Sequence, residues 1–395
     1  MVKPDLSGSR FWIPALKAFS SLFHFILVSV SYQVFYLFST YNYAMKKTKL
    51  PFLLLFCGSL FWAGCQSKTT DTTNTTDSST KTADAVQKKP LKIILDSDIG
   101  QDCDDAAAMA LLHQFADKGE VEILATMFPM QDPMGAPALD VINTYYGRPD
   151  IPIGTYKGNF KYLGELWDHY NTKLAKNFPH DLKSGKDAPD AVSLYRQILA
   201  KQADTSVVIV AVGPERLLAD LLKTGPDSYS NLSGPDLVKQ KVKMLTVMGA
   251  GFQKGHEWNI KISPDASKLV AETWPTPIVY SGFEIGEAIR TGNRLLTEAP
   301  KNSPVRASFE NHPFVDSTTH DRQSWDQTAV LYAVRGLQNN WKLESNGYNF
   351  IDETGKNEWR QDTDKNHSYL LLNRPAAEVA REIEDLMVAP PIKIH

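Results

Sequence analysis

Residues 92–112 read KIILDSDIGQDCDDAAAMALL: an apolar run, then five aspartates within ten positions, then an alanine-rich run. Residues 93–95 have the length and bounds of a short buried strand, Gly100 marks a turn, and residues 104–115 have the length of a helix. Two unit charges about 4 Å apart repel by roughly 1 kcal/mol in water and about 4 kcal/mol near a protein surface. Asp96, Asp98, Asp102, Asp104 and Asp105, folded against one strand end, therefore require a cation or protons. Helix capping and the helix dipole account for one or two aspartates, but not for five. Clustered carboxylates are ligands for hard cations. No CxxC or paired histidine accompanies them, which argues against zinc. An EF-hand does not fit either: counted from Asp96, Gly100 comes one place early and Ala107 stands where the closing glutamate belongs.

Outward from this stretch the strand–helix alternation repeats, predicting an α/β fold with a mostly parallel central sheet flanked by helices, an open Rossmann-like core. Strands are expected at 121–127, 151–154, 206–212, 243–248 and 278–281. Helices are expected at 136–146, from an Asp190 cap to 201, and at 215–223, 265–273 and 325–337. Residues 156–187, rich in aromatics and charges, read as an irregular excursion over the surface. Ligands of open α/β sheets collect at the carboxyl ends of strands. Four such ends carry polar or glycine-rich turns, after Leu95, Met127, Val212 and Met248.

Four blocks in order resemble the nucleoside hydrolase family of inosine-uridine type, over residue 90 to the C-terminus. They are the acidic block with Asp96, Asp98, Gly100, Asp104, Asp105 and Ala106; VIVAVGPERLL at 208–218; Met248-Gly249 through Glu257-Trp258-Asn259; and WDQTAV at 325–330. The resemblance implies calcium-dependent hydrolysis of ribonucleosides to free base and ribose. It implies one calcium ion held by Asp98, Asp105, Asp326 and the backbone carbonyl of Val212, with Asp98 also the base for the attacking water. Asp104, Glu257 and Asn259 would hold the ribose hydroxyls, with Asp132 a looser match near the sugar, and Asp96 would steady the loop. Dimers or tetramers are also common in that family, although no self-complementary patch is legible in one chain.

This sequence departs from the family pattern in two places. Asp102 and Cys103 are two extra residues relative to the shortest family form, and Asp102 reads equally as a helix cap or a further sugar contact. Trp325 stands where many members have the histidine that helps protonate the leaving base. Tryptophan can stack on a nucleobase instead, which favours purines and assigns Trp325 to substrate binding. His256, His320 and Asp321 are alternative acids. Taken without the resemblance, Asp326 reads as a helix N-cap, Glu257 and Asn259 as loop residues, and Trp258 and Trp325 as core. Two other functions keep the same residues: a non-catalytic riboside- or sugar-binding lipoprotein, and a haloacid dehalogenase-type phosphohydrolase suggested by the strand-Asp-x-Asp shape of residues 94–98.

The N-terminal part has a different character. Met45-Lys-Lys-Thr-Lys49, the apolar residues 50–60 and Ala63-Gly64-Cys65 resemble a lipoprotein signal peptide at 45–65, with Cys65 as the lipidated residue; Trp62 departs from the usual small aliphatic. Residues 66–89 read as a disordered Thr/Ser/Asp/Lys tether. Residues 19–38 are apolar enough for a membrane span, yet a span directly before a signal peptide is incongruous, so 1–44 is read as an extension upstream of the true start at Met45. These features predict an exported protein anchored to the membrane of a bacterial cell envelope, with residues 90–395 as the catalytic domain. The net charge of −3 and the lack of a basic block argue against a nucleic acid polymer as partner. Removal of Cys57 with the signal and lipidation of Cys65 would leave Cys103 as the one free thiol, with no disulfide framework.

Overall fold

The computed structural model describes residues 89–159, 168–361 and 365–392. The signal segment, Cys65, the upstream extension and nearly all of the tether lie outside the described residues. Among the described residues no helix is long and apolar enough to cross a membrane.

Among the described residues twelve strands occur in chain order: β1 Leu91–Asp96, β2 Val121–Phe128, β3 Ile153–Thr155, β4 Val207–Ala211, β5 Val242–Met248, β6 Ile278–Ser281, β7 Arg290–Thr291, β8 Arg322–Gln323, β9 Trp341–Glu344, β10 Tyr348–Ile351, β11 Asn357–Arg360 and β12 His367–Leu372. Eight form the central sheet in the order β3-β2-β1-β4-β5-β6-β12-β9. Every neighbouring pair is parallel except β12 with the edge strand β9. The first six follow the doubly wound order, in which the chain leaves β1 toward one edge and later returns to build toward the other. That reversal opens a crevice at the carboxyl ends of β1 and β4.

Alternation along the strands divides the core into two layers. Ile93, Leu95, Val208 and Val210 face one layer, and Ile94, Val207, Ile209 and Ala211 the other. The first layer is covered by the helices Asp104–Asp117, Gly135–Tyr145, Trp325–Arg335 and Ala376–Met387; the second by Ala191–Ala200, Arg216–Leu222, Gly234–Lys241 and Pro264–Thr273. Asp104 through Phe115 are all buried. A helix enclosed on all sides has no solvent face to make amphipathic, which is why this one reads AAAMALL after its acidic start. Its small side chains allow the Trp325–Arg335 helix to lie alongside, and that pairing carries Asp326 to the acidic loop.

Most predicted elements occur within two residues of their expected bounds. Asp190 caps its helix as expected, its carboxylate accepting from the Ser193 N–H at 2.8 Å. The excursion at 156–187 departs from expectation in containing the helix Asn171–Asn177. The N-cap of Trp325–Arg335 is Ser324, so Asp326 sits inside the first turn and is not the cap.

Candidate active site

The strand β1 ends at Asp96, and the chain then crosses the crevice mouth before turning into the Asp104–Asp117 helix. Val212, just past β4, donates its N–H to the Asp96 carbonyl at 2.7 Å, which locks the two strand ends together. Gly100 takes a φ of +114°, and a Cβ there would lie 2.1 Å from Asn171 Nδ2. The turn therefore requires glycine. Gly213 is required for space: a Cβ would stand 2.8 Å from Asp98 Oδ1.

These constraints build a cavity of about 280 Å³. Its acidic floor contains Asp98, Asp104, Asp105, Asp326 and Glu257, and the aromatic Trp258, Phe283, Phe314 and Trp325 line it as well. Val212, Asn259, Asp102 and Arg322 also line it. Of the predicted site residues in the described chain, Asp132 alone lies elsewhere. It borders a second cavity of about 290 Å³ that shares Asp98 and Gln101 with the first and is lined by residues at and just past the end of β2. There its carboxylate accepts from Met134 N at 2.9 Å and from Asn171 Nδ2 at 3.0 Å.

The floor is held by short, specific contacts. Ser97 Oγ donates to Asp105 Oδ1 at 2.6 Å. Asp104 Oδ2 accepts from the Asp326 N–H at 3.2 Å. Glu257 caps the short helix Trp258–Ile262, accepting from Asn259 N at 2.8 Å and Ile260 N at 3.2 Å. Asn259 Nδ2 donates to the carbonyls of Val212 at 2.9 Å and Met248 at 3.3 Å, joining the ends of β4 and β5. Neither Glu257 nor Asn259 is a plain loop residue, which is how they read without the family pattern.

Burial dominates the electrostatics. It raises Asp98 and Glu257 each to about 7, against the lowering effect of backbone N–H donors. Burial likewise holds Asp104, Asp105 and Asp326 well above the usual carboxylate range, and repulsion from neighbouring aspartates adds to it. Buried like charges at this spacing call for a cation. Carboxylate oxygens of Asp104, Asp105 and Asp326 lie within 4.8 Å of one another. The Val212 carbonyl spends one lone pair on Asn259 and keeps a second. An all-oxygen donor set of this kind fits a hard divalent cation. Asp98 lines the same cavity but stands outside that tightest trio.

A second trio, Asp102, Cys103 and His312, is also close enough for a metal. The chemistry of its members excludes that use. His312 Nδ1 accepts from Phe314 N at 3.4 Å, so its Nε2 carries the proton and donates to the Gln101 carbonyl at 3.0 Å. Asp102 is engaged by Arg322, and burial raises the Cys103 thiol.

Trp258 is 39% exposed and Trp325 half-buried; both line the cavity, and Trp325 also packs against the core. Trp325 Nε1 donates to the Phe283 carbonyl at 2.9 Å, and the two rings lie 5.5 Å apart. Among the possible acids, His256, His320 and Asp321 do not line the cavity. The sequence reading missed Phe283, Phe314 and Arg322. Phe283 could have been found, because it follows the carboxyl end of β6, a fifth strand end at the same rim. Arg322 and Phe314 carry no such signal.

The family described as inosine-uridine preferring nucleoside hydrolase matches residues 93–383. A pyrimidine-specific ribonucleoside hydrolase of Klebsiella pneumoniae is 29% identical over 148 residues, 36% of this chain. The aligned stretch spans 44% of that relative, less than half its length. Among solved structures, an inosine-guanosine nucleoside hydrolase superposes with a TM-score of 0.59 at 17% identity, covering 75% of this chain and 98% of its own. A purine-preferring ribonucleoside hydrolase of Gardnerella vaginalis gives 0.57 at 16% identity over the same shares. At these identities the likeness to solved structures is one of fold.

Proposed function

This chain belongs to the inosine-uridine preferring nucleoside hydrolase family, and we propose that it is an N-ribosyl hydrolase that splits ribonucleosides into free base and ribose, with calcium at its carboxylate floor and a preference for purines. The observation that carries this reading is one cavity lined by both buried carboxylates and aromatic rings. The carboxylates suit the hydroxyls and developing positive charge of a ribose, and the rings suit a flat base.

In this reading Asp98, Asp105, Asp326 and the Val212 carbonyl would hold the cation, which when bound would acidify a water molecule. Asp98 orients that water and takes its proton as the water oxygen bonds to C1′. Asp104, Glu257 and Asn259 bind ribose hydroxyls, so the ring presents C1′ to Asp98. The C1′–N bond breaks through an oxocarbenium-like transition state, which nearby carboxylates favour. Trp325 with Phe283 stacks on the base, and two-ring purines gain more from such stacking than single-ring pyrimidines.

Incubation of the full chain and calcium with inosine, adenosine, guanosine and uridine tests the proposal, with release of free base as the readout. Free base from the purine ribosides supports it. Thermal stabilisation by nucleosides without free base would make the protein a binder instead. Faster turnover of uridine than of inosine would remove the stacking argument. The family and fold lend no support to the phosphohydrolase alternative, for which phosphate release from ribose 5-phosphate is the control.

We further propose export and anchoring through lipid on Cys65, on the strength of residues 45–65. Loss of membrane association in Cys65→Ser checks it. Assembly into a homo-oligomer, common in this family, is checked by light scattering on the lipid-free protein.

A further inference from the structure

Among the described residues, Arg322 is the one cationic side chain lining the acidic cavity. Its place is fixed at both ends. The backbone pairs with Thr291 in the β7–β8 ribbon. The guanidinium is gripped side-on by Asp102, with Nε 3.0 Å from Oδ1 and Nη2 closing a second contact on Oδ2. Nη1 donates to Gln323 Oε1 at 3.0 Å. The group lies over the Trp325 ring, 5.1 Å from its centroid, and 5.9 Å from that of Phe314. A guanidinium carries five N–H donors. These bonds occupy one on each nitrogen, leaving one N–H on each Nη, beside the aromatic wall.

Breaking C1′–N sends its electron pair onto the base, while water gives its oxygen to C1′ and a proton to Asp98. The base departs as an anion unless it is protonated in the same step. Trp325 cannot supply that proton, and the histidines and acid considered for the task do not line the cavity. Arg322 is positioned to meet the charge without giving up its own proton: burial works against its charge, but the Asp102 carboxylate outweighs that and raises an already high pKa. We propose that Arg322 stabilises the negative charge on the departing base by charge-assisted hydrogen bonds, that Asp102 positions it, and that the base then takes its proton from solvent. This deepens the nucleoside hydrolase reading and rests on it.

The test compares inosine, whose base is a poor leaving group, with p-nitrophenyl β-D-ribofuranoside, whose phenolate needs no stabilisation. The full chain and its Arg322→Gln, Arg322→Lys and Asp102→Asn variants are assayed with calcium. Removing one preorganised donor to developing charge costs about 100-fold or more. Arg322→Gln should lower kcat/KM for inosine by that order, and at least about ten times more than for the nitrophenyl riboside. Arg322→Lys keeps the charge and loses the fork, and should fall between. Asp102→Asn should show the same leaving-group bias, more weakly. Equal losses on both substrates, or none on inosine, would overturn the inference while leaving the hydrolase reading intact. If Arg322→Gln does not fold, the Lys and Asn variants decide by the same ratio. Wild-type protein inert toward both substrates would remove the hydrolase reading and this inference with it.

Discussion

Asp104 Oδ2 accepts a hydrogen bond from the backbone N–H of Asp326 at 3.2 Å, across 222 residues of sequence. Ser324, the residue in the N-cap position, makes no side-chain cap bond. A carboxylate from another helix therefore satisfies a first-turn donor that local sequence leaves open. The same bond draws the two acidic segments of the floor together.

Asp104 consequently has two separable tasks. Asp104→Asn keeps an acceptor oxygen and should melt within about a degree of wild type in chelator, yet gain less stability from calcium, because it takes away a charge beside the cation ligands Asp105 and Asp326. Asp104→Ala loses the acceptor as well and should cost about 1 kcal/mol in chelator, the usual value of a cap. Thermal melts of both variants with and without calcium check this; identical melting of the two in chelator would show that the bond does not matter to stability.

Calcium itself should raise wild-type stability by about 2.7 kcal/mol at a hundredfold excess over its Kd. Asp105→Asn and Asp326→Asn should each remove most of that gain, because each deletes a charge from the trio of close carboxylates. Magnesium should be the weaker stabiliser, since it demands octahedral geometry and keeps its waters. Calorimetric titration of the three proteins with both ions measures this, and undiminished calcium binding in Asp326→Asn would move the site elsewhere.

Gly213→Ala offers a test of Asp98 that leaves its carboxylate in place. The added Cβ would sit 2.8 Å from Asp98 Oδ1 and 2.9 Å from Asp98 Cβ, so the side chain must shift. Positional errors near 1 Å at a reacting group cost about 100-fold. We expect kcat to fall at least about tenfold, with KM changing far less. Asp98→Ala should abolish turnover altogether. Wild-type kcat in Gly213→Ala would mean that the placement of Asp98 is not critical.

Sheet and floor were largely legible because they rest on local patterns. Strand alternation, the Gly100 turn, the Asp190 cap and the acidic block all encode structure within a few residues. The Gly234–Lys241 helix also had its signal, since Ser233 accepts from Asp236 N and Pro235 lies in the first turn, but its flanks are too polar to draw notice. The short helices Phe283–Ala288, Asn293–Glu298 and Pro304–Asn311, and the strands β9 to β12, lack a period long enough to read. The role of Asp102 was illegible for another reason. Its partner Arg322 lies 220 residues away, and no spacing announces a contact made only by the fold.

Glu215 is a buried carboxyl outside the cavity, on the second face of the sheet. Burial raises it to about 8, with repulsion from Glu257 added and Ser267 the hydroxyl that favours its anion. The folded state therefore holds a proton on Glu215 that the unfolded chain, with the ordinary value of 4.5, gives up earlier. Stability from this group is complete below about pH 4.5 and is lost as pH rises toward 8, at up to about 1.4 kcal/mol per pH unit. Glu215→Gln mimics the protonated form and should be selectively more stable than wild type at pH 8, with the difference vanishing near pH 5. Urea melts of both proteins at the two pH values, with calcium saturating so that the floor carboxylates stay ionised, measure that difference. An unchanged gap between the proteins across this range would mean that Glu215 is ionised in the fold and held by a partner.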